Sequence, residues 1–422
     1  MTMTKTPIAL AGLALMAAQG PAHGQEACDP CAGDPNGQAP IVIDQVQIGD
    51  LSSAIEVDVD EVDMDASATA TTAGNTAAGL TKSGDIEVTT TQRMEGEAAA
   101  AASLTGDAVA GAALTTATAY GNAASAGTWM GNLRTRTVQT MTGDVAARSD
   151  IELGSAGAVS AATTGIGNVA ATDNEFGDNL AYQEQASDGS VAAQSLATVD
   201  EVEGAASFAT TAGGNVISST GYTATAIQGA VQTTRTGEQI EALTEVSIAA
   251  AGAASAVTTA SGNAYTLNNE FGYASLGRGG SELFQGNDSQ VAASSVVTAL
   301  DFGTYGVSSA YGVGNSAAVT NLGSDTALYA IQSNYGNVGA QAQFTGASGA
   351  GGVAQVSSVA VGNTATAGLC ITCGPATLTG TTRQFSASNV AATGSIQIGQ
   401  AGSVVGSATA IGNAATFQTS GQ

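Results

Sequence analysis

A glycine–asparagine pair returns along the chain at Gly74-Asn75, Gly121-Asn122, Gly167-Asn168, Gly214-Asn215, Gly262-Asn263, Gly314-Asn315, Gly362-Asn363 and Gly412-Asn413. Successive glycines lie 47, 46, 47, 48, 52, 48 and 50 residues apart. Self-similarity at a near-fixed period identifies a stack of like units and outranks other readings of the same residues. A second column keeps the phase. Gln92, Gln139, Gln185, Gln232 and Gln332 each follow the asparagine of their unit by 17 residues, and Gln285 and Gln384 follow theirs by 22 and 21. The two longer offsets read as short insertions. Three further pairs, Gly131-Asn132, Gly286-Asn287 and Gly336-Asn337, fall outside the period.

Each column has a physical reading. Glycine takes positive φ without steric cost and asparagine tolerates the left-handed region, so the pair predicts a tight corner between strands. Stacked at the strand spacing of ~4.8 Å, successive Gln or Asn side chains can hydrogen-bond one another as ladders. These columns are structural; they carry no catalytic chemistry.

Composition narrows the fold. Ala, Gly, Thr, Ser and Val dominate, aromatics are 4 % and charged residues 10 %. Low-complexity disorder is one source of such a mixture. The other is stacked β structure, whose stability comes from neighbouring layers. A hydrophobic content of 43 % and the regular period favour the second, and Gly, Thr, Ser and Val are weaker helix formers than Ala. The expected fold is an all-β, elongated repeat β-solenoid of about eight units of ~48 residues. If a unit makes two coils, eight units give about 16 layers, or ~75 Å of rod. With 9 basic and 35 acidic residues the net charge is −26, so nucleic acid and anionic lipid surfaces are poor partner candidates and no nucleic acid is expected.

Residues 1–24 read as a signal peptide: Lys5, the uncharged run Ile8 to Ala18, and an A-x-G cleavage site in Pro21-Ala-His-Gly24. Cleavage there removes His23, the one histidine. No later segment reaches 18 apolar residues, so no membrane-spanning helix is expected, and Gln25-Glu-Ala-Cys28 is not a lipobox. Residues 25–65 form a leader with Cys28-Asp-Pro-Cys31, a strand over Ile41 to Ile48 and an acidic run from Glu56 to Asp65. In that run carboxylates alternate with Val57, Val59, Val62 and Met64, and the phase slips at Asp60-Glu61. On a strand this gives an acidic face and an apolar face. The spacing matches no Ca²⁺ loop, and an acidic edge that blocks sideways strand pairing is the better reading.

Residues 66–422 are the repeat array, whose last unit lacks its glutamine and is expected to leave an open end. Cys370-Ile-Thr-Cys373 lies in the insertion of the seventh unit. With Cys28 and Cys31 it makes two C-x-x-C pairs about 340 residues apart, without histidine. In an exported chain disulfides are expected, with local or cross-linked pairing open, and a four-thiolate metal site is the lesser alternative. Trp129, the one tryptophan, beside Arg134 and Arg136, reads as a core residue with solvated arginines; a sugar-stacking platform is the alternative.

The inventory leaves little for catalysis. After cleavage there is one lysine, Lys82, with seven scattered arginines, so most acid–base and nucleophilic constellations are missing. A carboxylate-pair glycosidase needs only Asp and Glu, yet the bulky aromatic subsites of such enzymes are thinly supplied.

Locally the repeats resemble curli-type amyloid subunits, which carry Gly-Asn-x-Ala with flanking glutamines. Gly74-Asn-Thr-Ala77, Gly121-Asn-Ala-Ala124, Gly167-Asn-Val-Ala170, Gly314-Asn-Ser-Ala317, Gly362-Asn-Thr-Ala365 and Gly412-Asn-Ala-Ala415 match. The units at 214 and 262 depart. The curli repeat is about half as long, so its one-coil-per-repeat arrangement does not carry over. As a whole the chain is similar to the holdfast anchor family HfaD of stalked alphaproteobacteria, through the export signal, Cys28-x-x-Cys31, the acidic segment and an Ala/Thr/Gly-rich array of this length. That resemblance implies an outer-surface protein tethering the holdfast polysaccharide at the cell pole or stalk. It also implies a curli-type outer-membrane secretion protein (HfaB-like) and a companion subunit (HfaA-like). The expected function is a self-associating, non-enzymatic anchor without cofactor. The alternatives are a polysaccharide-degrading β-solenoid, a curli-like fibre subunit, or a disordered mucin-like chain.

Overall fold

A computed structural model describes residues 40–277, 282–371 and 376–420. The expected signal peptide, Cys28, Cys31 and Cys373 lie outside them. Among the described residues the regular elements are seventeen β-strands and no helix. This is the all-β solenoid that the period predicts.

The second unit shows the plan. A strand runs from Ala98 to Met130 and a shorter one from Leu133 to Met141. Ala98 pairs in parallel with Val145, and Leu133 with Asn179, each one unit further on. The same relation holds from Ile41–Gln47 to Leu378–Ser386 on one side and from Ala66–Thr81 to Val390–Ser420 on the other. One unit is therefore one coil. The expectation of two coils and ~75 Å is corrected to eight layers and roughly 40 Å along the stack.

Within a coil the long strand folds on itself. Residues 98–106 form a first arm, the chain turns near a register shift between Val109 and Ala112, and residues 112–130 run back as a long wall. The strand Leu133–Met141 is a second arm against the far half of that wall. A chain of hydroxyls crosses the first gap: Thr163–Ser195, Thr210–Ser195, Thr244–Thr210 and Thr258–Thr244, all at 2.7–2.8 Å. Around them the first core is built of alanines and valines such as Ala98, Ala100, Ala117, Val145 and Val191. The second core begins with Ile86, Val88, Ala126 and Leu133 and resumes with Ile217, Tyr265, Leu267 and Leu283. Between them lie buried polar residues, among them Asn179 and Gln183. A buried methylene contributes only about 0.8 kcal/mol, so alanine-rich walls lean on the interlayer hydrogen bonds for cohesion.

The Gly-Asn pairs are not corners. Gly167-Asn168 lies inside the continuous strand Val145–Ser187, and none of the eight repeat glycines has positive φ. Buried positions alternate as Ala161, Thr163, Gly165, Gly167 and then as Asn168, Ala170, Thr172, Asn174. Two consecutive residues face inward, and the alternation slips by one. The slip switches the long wall from the first arm to the second. Glycine is required by proximity: a Cβ on Gly214 would lie 2.7 Å from the Gly262 carbonyl oxygen of the next layer. The true turns are arches outside this column. Gly84, Gly131, Gly177 and Gly323 take φ of 96°, 142°, 125° and 78°, and Thr223 and Phe271 take 52° and 59° in the corresponding arches.

Candidate functional site

The eight repeat asparagines form one unbroken ladder. Asn75 Nδ2 donates to Asn122 Oδ1, and the bond repeats through Asn168, Asn215, Asn263, Asn315, Asn363 and Asn413 at 2.7–2.8 Å. The glutamines form a second. Gln92 Nε2 donates to Gln45 Oε1, and Gln139, Gln185, Gln232, Gln285, Gln332 and Gln384 each donate to their predecessor at 2.7–3.0 Å. Asparagine amides thus point toward the C-terminal layer and glutamine amides toward the N-terminal one.

Each ladder also ties the long wall to the second arm. Asn122 Nδ2 donates to the Thr140 carbonyl, next to Gln139. Gln139 Nε2 donates to the Val169 carbonyl, next to Asn168. Both hydrogens of every interior ladder amide are consumed, which satisfies groups that would otherwise be costly to bury. Gln45 was not foreseen. Its signal was its distance of 47 residues from Gln92, but no Gly-Asn pair precedes it to mark a unit.

Repetition decides whether a buried amide is satisfied. Gln183 points into the same gap as Gln185, yet its register neighbours are Thr137 and Ala230, and neither end of its amide finds a protein partner.

The arches have caps of their own. Asp85 Oδ1 accepts from Asn132 N, Asp144 Oδ1 from Ser190 N, and Asn132 Oδ1 from Asp178 N, at 2.8–3.0 Å. Two of the off-period pairs therefore serve arches, since Asn337 Oδ1 likewise accepts from Asn389 N. The third supplies Asn287, whose amide donates to Asn334. Asp325 accepts from the backbone N–H and hydroxyl of Thr377, which hold its carboxyl below the usual value of 3.8. Burial pushes the Tyr265 hydroxyl well up, and it donates to Gln228 Oε1 at 3.1 Å.

The remaining sequence candidates are dispersed. Cys370 ends its strand half-buried and without a disulfide to any described residue. Carboxylates 56, 58, 60 and 61 are exposed on the edge strand Leu51–Val62, with Val57, Val59 and Val62 packed on the first core. Among the described residues no three His, Cys, Asp or Glu side chains gather as a metal site. Trp129 is no core residue; it is 43 % exposed, because it sits where the long wall leaves the second core for the arch. One residue further on, a ridge begins at Met130. Met130 pairs with Phe176, and Phe176, Tyr222 and Phe271 follow edge to face with ring centres 5.8 Å apart. All three rings are more than two-fifths exposed. The ridge was legible only as aromatics one unit apart, a signal diluted by the different residue types.

The profile of a family described as holdfast attachment protein D matches residues 60–337. No curated protein and no solved structure matches the chain.

Proposed function

The chain belongs to the holdfast attachment protein D family, and from that premise we propose that it is a non-enzymatic scaffold anchoring a polysaccharide adhesin to the cell envelope. A holdfast attachment family implies a protein associated with the cell surface. The observation that carries the finer reading is the pair of continuous amide ladders. They commit the recurring polar side chains of the interior to holding layers together, which suits a load-bearing part. The exposed ridge of Met130, Phe176, Tyr222 and Phe271 is the surface offered to the polysaccharide. Contiguous exposed apolar side chains of this kind mark interaction sites. The scaffold is exported to the outer surface and works beside a small companion subunit and a curli-type secretion protein.

Deletion of the gene tests this reading. The adhesin is expected to be made in normal amount and shed into the medium. Adhesin that stays on the cells overturns the anchor role. In a second arm, Phe176→Ala with Tyr222→Ala is expected to lower retention while circular dichroism keeps its β signal. Release of reducing ends from the polysaccharide by purified protein would contradict the non-enzymatic part.

A further inference from the structure

Building on the scaffold reading, we propose that the array joins copies of itself head to tail, the C-terminal layer of one copy receiving the N-terminal layer of the next. The first ground is that the described array holds whole coils. It opens with Ile41–Gln47 and the strands through Thr81, and closes with Leu378–Ser386 and Val390–Ser420. Gln45 and Asn75 lie on one end face, Gln384 and Asn413 on the other. Following the pairing layer by layer, Asn75 corresponds to Asn413, Gln45 to Gln384 and Leu51 to Val390. The two faces therefore present the same outline.

The second ground is polarity. At the C-terminal face Asn413 Nδ2 has no partner among the described residues, while Gln384 Oε1 receives no donor. At the N-terminal face, among the described residues, Asn75 Oδ1 receives none, and Gln45 Nε2 donates only to the Thr76 carbonyl, leaving one hydrogen. Asn413 of one copy can thus donate to Asn75 of the next, and that copy's Gln45 can donate back to Gln384. Both ladders continue in their own directions. Turning one copy over to join like faces makes the pairing antiparallel and sets ladder donor against donor or acceptor against acceptor.

Charge agrees. The N-terminal layer carries Asp44, Asp50, Glu56, Asp58, Asp60 and Glu61, whereas no carboxylate follows Asp325 and the last layer's one charge is Arg383. Two N-terminal faces repel; unlike faces do not. The heterologous contact repeats without closing, as filaments require. Val404, Val405, Phe385 and Phe417 in the last layer are about half exposed, as one uncovered side of a coil would be.

Cysteine pairing tests the register. Ser52 corresponds to Ala391 through the successive layers, and both are exposed. Stacked parallel neighbours lie ~4.8 Å apart, within disulfide reach. Full-length Ser52→Cys and Ala391→Cys proteins, mixed and oxidised, are expected to give a 52–391 link by peptide mapping. Links of 52–52 or 391–391, or protein that sediments as a monomer and forms no link, overturn the proposal. So does position 391 linking in cells only to a different envelope protein.

Gly412→Ala supplies a second arm. A Cβ there meets nothing within 4 Å in a single copy, but in a joined pair it faces the Gly74 carbonyl of the neighbour. The unfolding midpoint is expected to stay unchanged while assembly falls roughly tenfold or more; unchanged assembly overturns the proposal. The anchor role fails separately. A monomer whose deletion still sheds adhesin refutes the joining alone, and a joined protein whose deletion retains adhesin refutes the anchor alone.

Discussion

At the junction inside each long wall glycine stands in all eight layers, from Gly74 to Gly412. In the arches that follow, Gly84, Gly131, Gly177 and Gly323 give way to Thr223 and Phe271 in two layers. The two regions use one residue for unlike reasons. At the junction a side chain in any of the first seven layers would strike the backbone carbonyl oxygen of the next repeat glycine at 2.4–2.7 Å, which is backbone and cannot swing aside. In the arch the demand is only a left-handed φ, which costs an ordinary residue about 1–2 kcal/mol. Local gains can offset that. Thr223 Oγ1 donates to the Glu175 carbonyl at 3.0 Å, and the Phe271 ring meets Tyr222 edge-on. A steric wall admits no exceptions, whereas a torsional preference does.

Gly214→Ala should be the most damaging probe of that contrast. Its Cβ would lie 2.7 Å from the Gly262 oxygen, 2.9 Å from Ile240 Cδ1 and 3.1 Å from Thr234 Cγ2. The expected loss is about 3 kcal/mol in urea unfolding, and a loss below that of an arch substitution breaks the comparison. Asn168→Ala comes next, at about 2 kcal/mol. It removes the acceptor for Asn122 and the donor to Asn215 and to the Ala186 carbonyl. Hydrogen exchange should quicken in the layers on both sides of it.

Gly237→Ala isolates the torsional cost, since Gly237 has φ of 94° and open space around its Cα. A loss of about 1 kcal/mol is expected. Thr223→Gly should recover up to about 0.5 kcal/mol, strain relief being partly cancelled by the lost hydroxyl bond. Acid gives the smallest effect. Asp325 is held below its ordinary 3.8 by Thr377, so its contribution is complete above that pH and disappears as pH falls through the folded value. Exchange of the Thr377 amide should rise only in that acid range, and Asp325→Asn should remove this pH dependence.

The period was legible because junction and ladder positions are the ones where every layer obeys the same constraint. Fold class and the Asn and Gln columns follow from it directly. The role of Gly-Asn did not, because a glycine chosen for proximity and one chosen for positive φ look alike in a sequence. Nor did the coil count: strands that bend through an arch without losing their pairing leave no turn signature, as Val145–Ser187 shows over 43 residues. The position of Trp129 was hidden because exposure at the mouth of an arch depends on where the second arm ends. Gln45 was hidden by lying ahead of the first marked unit.

One coil per unit has a mechanical consequence. The first and last described strands lie on opposite faces of the stack, so tension applied between those faces loads the layers in series and peels them from an end. Each released coil of about 48 residues yields roughly 160 Å of extended chain, some thirty times the thickness it occupied. A pulled array would lengthen in discrete steps, dissipating work at each ladder rung and re-forming when the load falls. An array built this way gives ground under a sudden tug instead of parting at once.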